Sequence, residues 1–193
     1  MARPKQFDRD EALERAIEVF WEYGFEASSI ELLLDRMGIN RASLYDTFGD
    51  KQALYLEALG RYCATNESLI LEILGRGLPV REKLREMYLT VVERACSENG
   101  FRGCFINNAM VERAAVDEKT AFHTSASIER IEHGLECALD EARKKGEIAA
   151  GLDPAALARF FYNNLQGLQV VGKTTRDRVR LEQIVKVALS VLD

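Results

Sequence analysis

The segment GINRASLYDTFGDKQAL, residues 38–54, concentrates side chains that can bind a nucleic acid. Gly38 suits the left-handed turn that ends one helix, and Asn40 is a good N-cap for the next. The helix that follows carries arginine, serine, tyrosine and threonine within two turns. Two short helices joined by a tight turn that contains glycine predict a helix-turn-helix motif.

In such a motif the second helix lies in the major groove of DNA, and its N-terminal residues reach base edges. Arg41 can fork onto a guanine, and Ala42 can lie beside a thymine methyl group. Lys51 begins the next helix, where its ammonium and the free backbone N–H groups can hold one phosphate. The predicted DNA contacts are Ser28, Ser29, Asn40, Arg41, Ala42, Ser43, Tyr45, Thr47 and Lys51.

Apolar residues recur at steps of three and four throughout the chain, and strand-like alternation is absent, so the predicted fold class is all-α. A first helix begins at Asp8 or Arg9 and ends at Gly24, and Ser28 or Ser29 caps a second that runs to about Met37. A third helix spans 41–48, and a long fourth begins at Lys51. Amphipathic segments near 79–98, 101–115, 117–145, 153–172 and 177–192 bring the total to about nine helices.

The composition argues against several classes of protein. The 193 residues contain no apolar run of the ~18 residues that a membrane span needs, and the first residues do not form a signal peptide, so we expect a cytoplasmic protein without membrane contact. The four cysteines are far apart, and His123 and His133 lack metal-ligand spacing, so no metal and no cofactor are predicted. No nucleophile, base and orienting group stand out, so we expect no enzyme.

The predicted DNA-binding part is acidic, with eleven acids against seven bases in residues 1–52. Two of the bases, Arg3 and Lys5, are predicted to lie on a flexible arm. Asp46, within the recognition helix, would repel phosphates unless it accepts from a cytosine amino group or pairs with Arg41 or Lys51. A relative of DNA-binding proteins that has lost DNA binding is therefore an open alternative.

Residues 9–56 resemble the DNA-binding domain of the TetR family of bacterial transcriptional regulators. The matching positions are Ala16, Phe20, Gly24, Phe25, Ser28, Ser29, Ile30, Gly38, Ile39, Ser43, Leu44, Tyr45, Phe48, Lys51 and Leu54. The resemblance implies a helix-turn-helix domain at 1–52, with a linking helix from about residue 51. It also implies a helical ligand-binding and dimerisation domain at 53–193. A homodimer would then repress transcription from a palindromic operator until a small-molecule effector releases it.

The segment FRGCFINNAMVERAA, residues 101–115, predicts one wall of the effector pocket, because an apolar helix with a few polar groups suits a ligand. Its candidate ligand contacts are Cys104, Asn107 and Asn108, with Tyr88, Phe122, Phe161, Tyr162 and Asn164 opposite. The alternative is that the two asparagines only cap the helix or face water.

Cys104 also supports a second hypothesis. It follows Arg102 at a predicted helix N-terminus, where the helix dipole and the guanidinium would favour the thiolate, so oxidants or electrophiles could act on it. The alternative is a buried cysteine that acts as a small apolar side chain.

The last two helices offer more apolar surface than one core can cover, which predicts a dimer interface. Its candidate residues are Phe160, Gly167, Leu168, Val171, Ile184 and Ala188. The alternative is a core formed within one chain.

Overall fold

The computed structural model describes residues 7–193, and this part of the chain is helical with no strand. The N-terminal helices are α1 (Arg9–Ala27), α2 (Ile30–Met37), α3 (Arg41–Phe48) and α4 (Lys51–Gly75). The others are α5 (Val80–Cys96), α6 (Phe105–Arg113), α7 (Glu118–Lys145), α8 (Pro154–Gly172) and α9 (Arg178–Leu189). The predicted all-α fold with about nine helices is confirmed. None of the described helices is both long and apolar enough to cross a membrane.

Each of the first four helices begins at a side chain that accepts a hydrogen bond from its first turn, where backbone N–H groups lack partners within the helix. Ser29 caps α2 at 3.1 Å, and Asn40 caps α3 at 2.8 Å. Asp8 and Asp50 cap α1 and α4 in the same way. Gly38, at φ 69°, ends α2 in the left-handed conformation. The predicted helix-turn-helix is therefore formed by α2 and α3.

Buried apolar side chains form two clusters. The first joins α1, α2, α3 and the N-terminal half of α4, and it includes Phe20 and Tyr55. The second joins the C-terminal half of α4 to α5, α7, α8 and α9, and it includes Leu135 and Leu181. Helix α6 contributes Phe105 to the first cluster, although it lies far along the chain. We call the unit of α1, α2, α3 and the start of α4 the head; α6 completes its core.

The division of the chain at residues 52 and 53 stays a prediction. Two elements connect the parts on either side of this boundary. Helix α4 contributes to both clusters, and α6 belongs to the cluster of the head. A movement of α6 therefore acts directly on the core of the head.

Helix α1 changes direction at Gly24, whose backbone has φ 77° and ψ −179°. Only glycine adopts this conformation without strain. After the break, the amides of Phe25 and Glu26 donate to the carboxylate of Glu112, at 3.0 and 2.9 Å, near the end of α6. A Cβ atom on residue 24 would lie 2.6 Å from that carboxylate. Both the backbone conformation and the available space therefore require glycine here.

Replacing Gly24 with alanine is expected to lower the free energy of unfolding by about 1–3 kcal/mol, because alanine is strained at this φ and its methyl group displaces Glu112. Urea denaturation of both proteins measures the change. Gly77→Ala is the control, since a Cβ atom there would meet nothing within 4 Å, and its effect should stay within about 0.5 kcal/mol. Equal stability of the Gly24→Ala and native proteins would contradict the role given to this turn.

Candidate nucleic-acid interface

Helix α3 turns one face to the core of the head and the opposite face to solvent. Leu44 and Phe48 are buried, and they lie on the same side because they are four residues apart. Ala42 and Asp46, also four apart, are exposed on the other side, next to Tyr45. A helix fixed by one apolar face, with small and polar side chains on the other, is suited to the major groove of DNA.

The guanidinium of Arg41 forms an ion pair with Glu31 of α2 at 2.6 Å. Both side chains are exposed, so water screens the pair and a stronger anion can replace Glu31. The pKa of Glu31 lies below its usual value, first because a backbone amide donates to its carboxylate and then because Arg41 is near. Arg41 is thus held at the start of the recognition helix by an ion pair in which a stronger anion can replace Glu31.

Lys51 begins α4, and its ammonium lies 4.4 Å from the centre of the Phe25 ring. The guanidinium of Arg113, from α6, lies over the same ring at 3.8 Å. Arg113 also pairs with Glu26 at 2.9 Å and donates to Gln52 at 3.1 Å. One residue of α6 therefore contacts both the end of α1 and the start of α4, beside the lysine predicted to hold a phosphate.

Three of the residues predicted to contact DNA have structural roles in the fold. Ser28 is fully buried, and its hydroxyl donates to the carbonyl of Gly24, so its prediction as a DNA contact is wrong. Ser29 and Asn40 use their side-chain oxygens as helix caps. The hydroxyl oxygen of Thr47 is buried without a partner among residues 7–193. The exposed predicted contacts on α3 are Arg41, Ala42 and Tyr45, with Ser43 half-buried.

Many acidic side chains of the head are occupied by basic partners. The ion pairs join Arg61 to Asp10 and Glu14, Arg9 to Glu57, Arg15 to Glu11, and Arg102 to Glu22. Asp46 differs, because within the described part of the chain it forms neither an ion pair nor a side-chain hydrogen bond. Arg3 and Lys5, predicted to lie on an arm, fall outside the described residues.

Cys104 is the N-cap residue of α6, but its surroundings do not favour a thiolate. The side chain is buried, and this burial raises the pKa of the thiol above its usual value. Arg102 pairs with Glu22 at 2.8 Å, so its charge is already compensated. The prediction of a stabilised thiolate is therefore wrong, because desolvation outweighs the effect of the helix N-terminus.

The two asparagines of α6 neither cap the helix nor simply face water. The Asn107 amide donates to the side chain of Gln169, on α8, at 3.0 Å. The Asn108 amide donates to the carbonyl of Arg102 at 2.9 Å, and its oxygen accepts from Lys173 at 2.9 Å. Both asparagines line a cleft between α1, α6 and α8.

The residues predicted to face them lie elsewhere. Tyr88 and Phe161 are in the second core cluster, where the tyrosine hydroxyl donates to the Phe161 carbonyl at 2.8 Å. Tyr162 is buried in the same cluster. The amide of Asn164 donates to a carbonyl of its own helix. Phe122 is 72% exposed and does not line the cleft of the two asparagines, so its role as a pocket wall stays a prediction.

The predicted dimer residues divide into two groups. Leu168 and Ala188 are buried in the core of their own chain, so they are wrong as interface contacts. Phe160 is exposed, and a Cβ atom on Gly167 would meet nothing within 4 Å, so both are open to a partner. Val171 and Ile184 are partly buried against the core, and their role in a dimer stays a prediction.

Sequence reasoning missed Glu112 and Arg113, which connect α6 to the head, and it missed Lys173 in the cleft. The spacing of apolar residues shows only that Glu112 and Arg113 lie at the end of an amphipathic helix. Their partners in α1 are 86 and 87 residues away along the chain. The glycine break at Gly24 was the available signal, because it frees backbone amides that need an acceptor. Among the described residues, no three His, Cys, Asp or Glu side chains gather as a metal would require.

Comparison with known proteins gives two family matches. Residues 12–58 match the model of bacterial regulatory proteins of the tetR family, and residues 77–188 match the tetracyclin repressor-like C-terminal domain. The first match contains α2 and α3, and the second contains the cleft residues of α6 and α8.

Individual relatives are similar to the chain over all or nearly all of its length. The chain is 36% identical to the HTH-type transcriptional regulator YezE of Bacillus subtilis (strain 168), with 100% of both chains covered. It is 27% identical to the HTH-type transcriptional repressor ComR of Escherichia coli (strain K12), with 98% of this chain and 90% of ComR covered. A solved structure of a cysteine mutant of the TetR family transcriptional regulator CifR, complexed with operator DNA, is 32% identical, with a TM-score of 0.89 and 100% of both chains covered. The chain therefore belongs to the TetR family and is a helix-turn-helix transcriptional regulator.

Proposed function

We propose that the chain is a homodimeric repressor that holds a palindromic operator through α3 and Lys51 and is released by a small-molecule effector. The observation that carries this proposal is the exposed face of α3, where Ala42, Tyr45 and Asp46 stand opposite the buried Leu44 and Phe48. CifR, similar over its whole length, was solved with a 26-base-pair double-strand operator, which supports the same role here.

A two-fold dimer suits this role, because half-sites of an operator lie about 34–36 Å apart per helical turn and need two reading heads. The exposed parts of α8 and α9 support it. Phe160 and Val187 are 37% and 69% exposed, and Gly167 lets a second backbone approach. Apolar surface of this kind favours association with a second copy.

Asp46 supports a specific proposal for how the protein recognises one base of the operator. Its two possible basic partners are engaged elsewhere, Arg41 with Glu31 and Lys51 over Phe25. A free carboxylate in the major groove needs a donor, and the N4 amino group of cytosine is the base donor that suits an acidic side chain. Ala42, one turn earlier on the same face, leaves space for this contact. Asp46 is thus assigned to a cytosine in each half-site.

The replacement of Tyr45 and Lys51 by alanine tests DNA binding. Selection from random-sequence duplexes followed by fluorescence anisotropy should yield a palindrome for the native protein. The double variant should bind this palindrome much more weakly, and the slope of log affinity against log salt should become shallower by about two, because each subunit of the dimer loses the phosphate contact of Lys51. Lys144→Ala, an exposed lysine near the C-terminal end of α7, is the control and should bind as the native protein does. A native protein that binds no duplex at low salt would overturn the proposal.

Asp46→Asn should change the selected sequence. Asparagine pairs with adenine, so an A·T pair should replace the C·G pair at one position of each half-site. Loss of a negative charge should also strengthen binding to random DNA, and Glu18→Gln measures that general effect, because Glu18 is exposed on α1. If Asp46→Asn and native protein select the same palindrome, Asp46 does not read a base.

A further inference from the structure

A cleft of about 390 Å³ lies where the end of α1, the C-terminal half of α6 and the end of α8 meet. Its volume is within the range of small-molecule sites, which runs from about 300 to 1,000 Å³. We call it the α1–α6–α8 cleft and define it by Trp21, Asn108, Val111, Glu112, Val170 and Lys173. The cleft borders both the head and the helix that completes the core of the head.

The walls of the cleft are largely apolar. The Trp21 ring is half-buried, and its indole N–H donates to the carbonyl of Gly103 at 3.2 Å, which fixes the plane of the ring. Val111 and Val170 are 88% and 53% exposed, although both are apolar. An aromatic or aliphatic ligand between these three side chains would remove their apolar surface from water.

The charge in the cleft selects the ligand class. The Lys173 stem lies against Gly103, where a Cβ atom would come within 2.8 Å of it, and the ammonium donates to Asn108 at 2.9 Å. Among residues 7–193 it has no acidic partner within ion-pair distance. Of the two carboxylates that line the cleft, Glu22 is paired with Arg102, whereas Glu112 accepts from two backbone amides and keeps its charge. A positioned ammonium without an ion-pair partner therefore faces the apolar walls of the cleft.

We propose that the α1–α6–α8 cleft binds a small organic anion, whose acidic group pairs with Lys173 and whose apolar body lies against Trp21, Val111 and Val170. The amide of Asn108 is held by the Arg102 carbonyl, so its oxygen keeps the ammonium directed into the cleft. Nothing in this contact needs a covalent step.

Occupancy of the cleft acts on the head through Glu112, and this consequence rests on the proposed function. The carboxylate of Glu112 lines the cleft and at the same time accepts from the amides of Phe25 and Glu26, which precede α2. An anion bound beside this carboxylate repels it and weakens its hold on those amides. The anion and DNA therefore oppose each other, and each lowers the affinity for the other by the same factor.

Trp21 is the only tryptophan of the chain, so its fluorescence reports on the cleft directly. Titration of the native protein with phenylacetate should give a saturable change, and phenylacetamide, which is neutral and of similar shape, should bind about tenfold more weakly. Lys173→Gln should reduce phenylacetate binding to the level of the amide. Lys173→Arg should keep most of it, and Lys144→Gln, near the C-terminal end of α7 and not among the residues that line the cleft, should leave it unchanged.

Equal binding of the acid and the amide, or full phenylacetate binding by Lys173→Gln, would overturn the proposal. So would a tryptophan signal that follows protein concentration and not the probe, because a partner subunit would then fill the cleft. A separate titration with a random-sequence duplex at low salt, with and without saturating phenylacetate, tests the regulatory consequence. If the duplex binds equally well in both, the link through Glu112 fails while the proposed function stands; if no duplex binds without the probe, the proposed function fails and the fluorescence titration still decides the site.

Discussion

The carboxylate of Glu112 accepts hydrogen bonds from the amides of Phe25 and Glu26, and the position of the head depends on this interaction. The glycine break in α1 leaves these amides without partners in their own helix, and the carboxylate supplies a charged acceptor for both. Arg113, the next residue of α6, adds a contact to the Phe25 ring and one to Gln52 at the start of α4. The end of α6 thus fixes both elements that flank the helix-turn-helix.

This arrangement also explains how an acidic head can serve a DNA-binding protein. The acids of α1 pair with bases from α4 and from the segment before α6, so they contribute to packing and leave α3 to approach DNA. Asp46, on the exposed face of α3 and without an ion-pair partner among the described residues, is the acid that we propose reads a base. In the proposed dimer each subunit makes few phosphate contacts, and the second subunit doubles their number.

Much of the head was predictable from sequence, because its signals are local. A cap such as Asn40, a left-handed glycine such as Gly38 and apolar spacing within one helix each act over a few residues. The site in the second half was not, since its contacts join residues far apart in the chain. Cys104 shows the limit well: its place at a helix N-terminus was predicted, but the burial that raises its thiol pKa comes from packing that no local pattern encodes. Leu168 was misplaced for the same reason, because helical spacing does not tell whether an apolar face packs within its own chain or against a second chain.

The hold of Glu112 on the head is tested most directly by amide hydrogen exchange at Phe25 and Glu26, measured by NMR in the native protein and in Glu112→Ala. Loss of the carboxylate should speed exchange of these two amides by about tenfold or more, as expected for hydrogen bonds to a charged group. The same variant should bind operator DNA more weakly, whereas Glu136→Ala, an exposed acid on α7, should change neither quantity. Native exchange rates at both amides in Glu112→Ala, with unchanged DNA affinity, would contradict the claim that α6 positions the head.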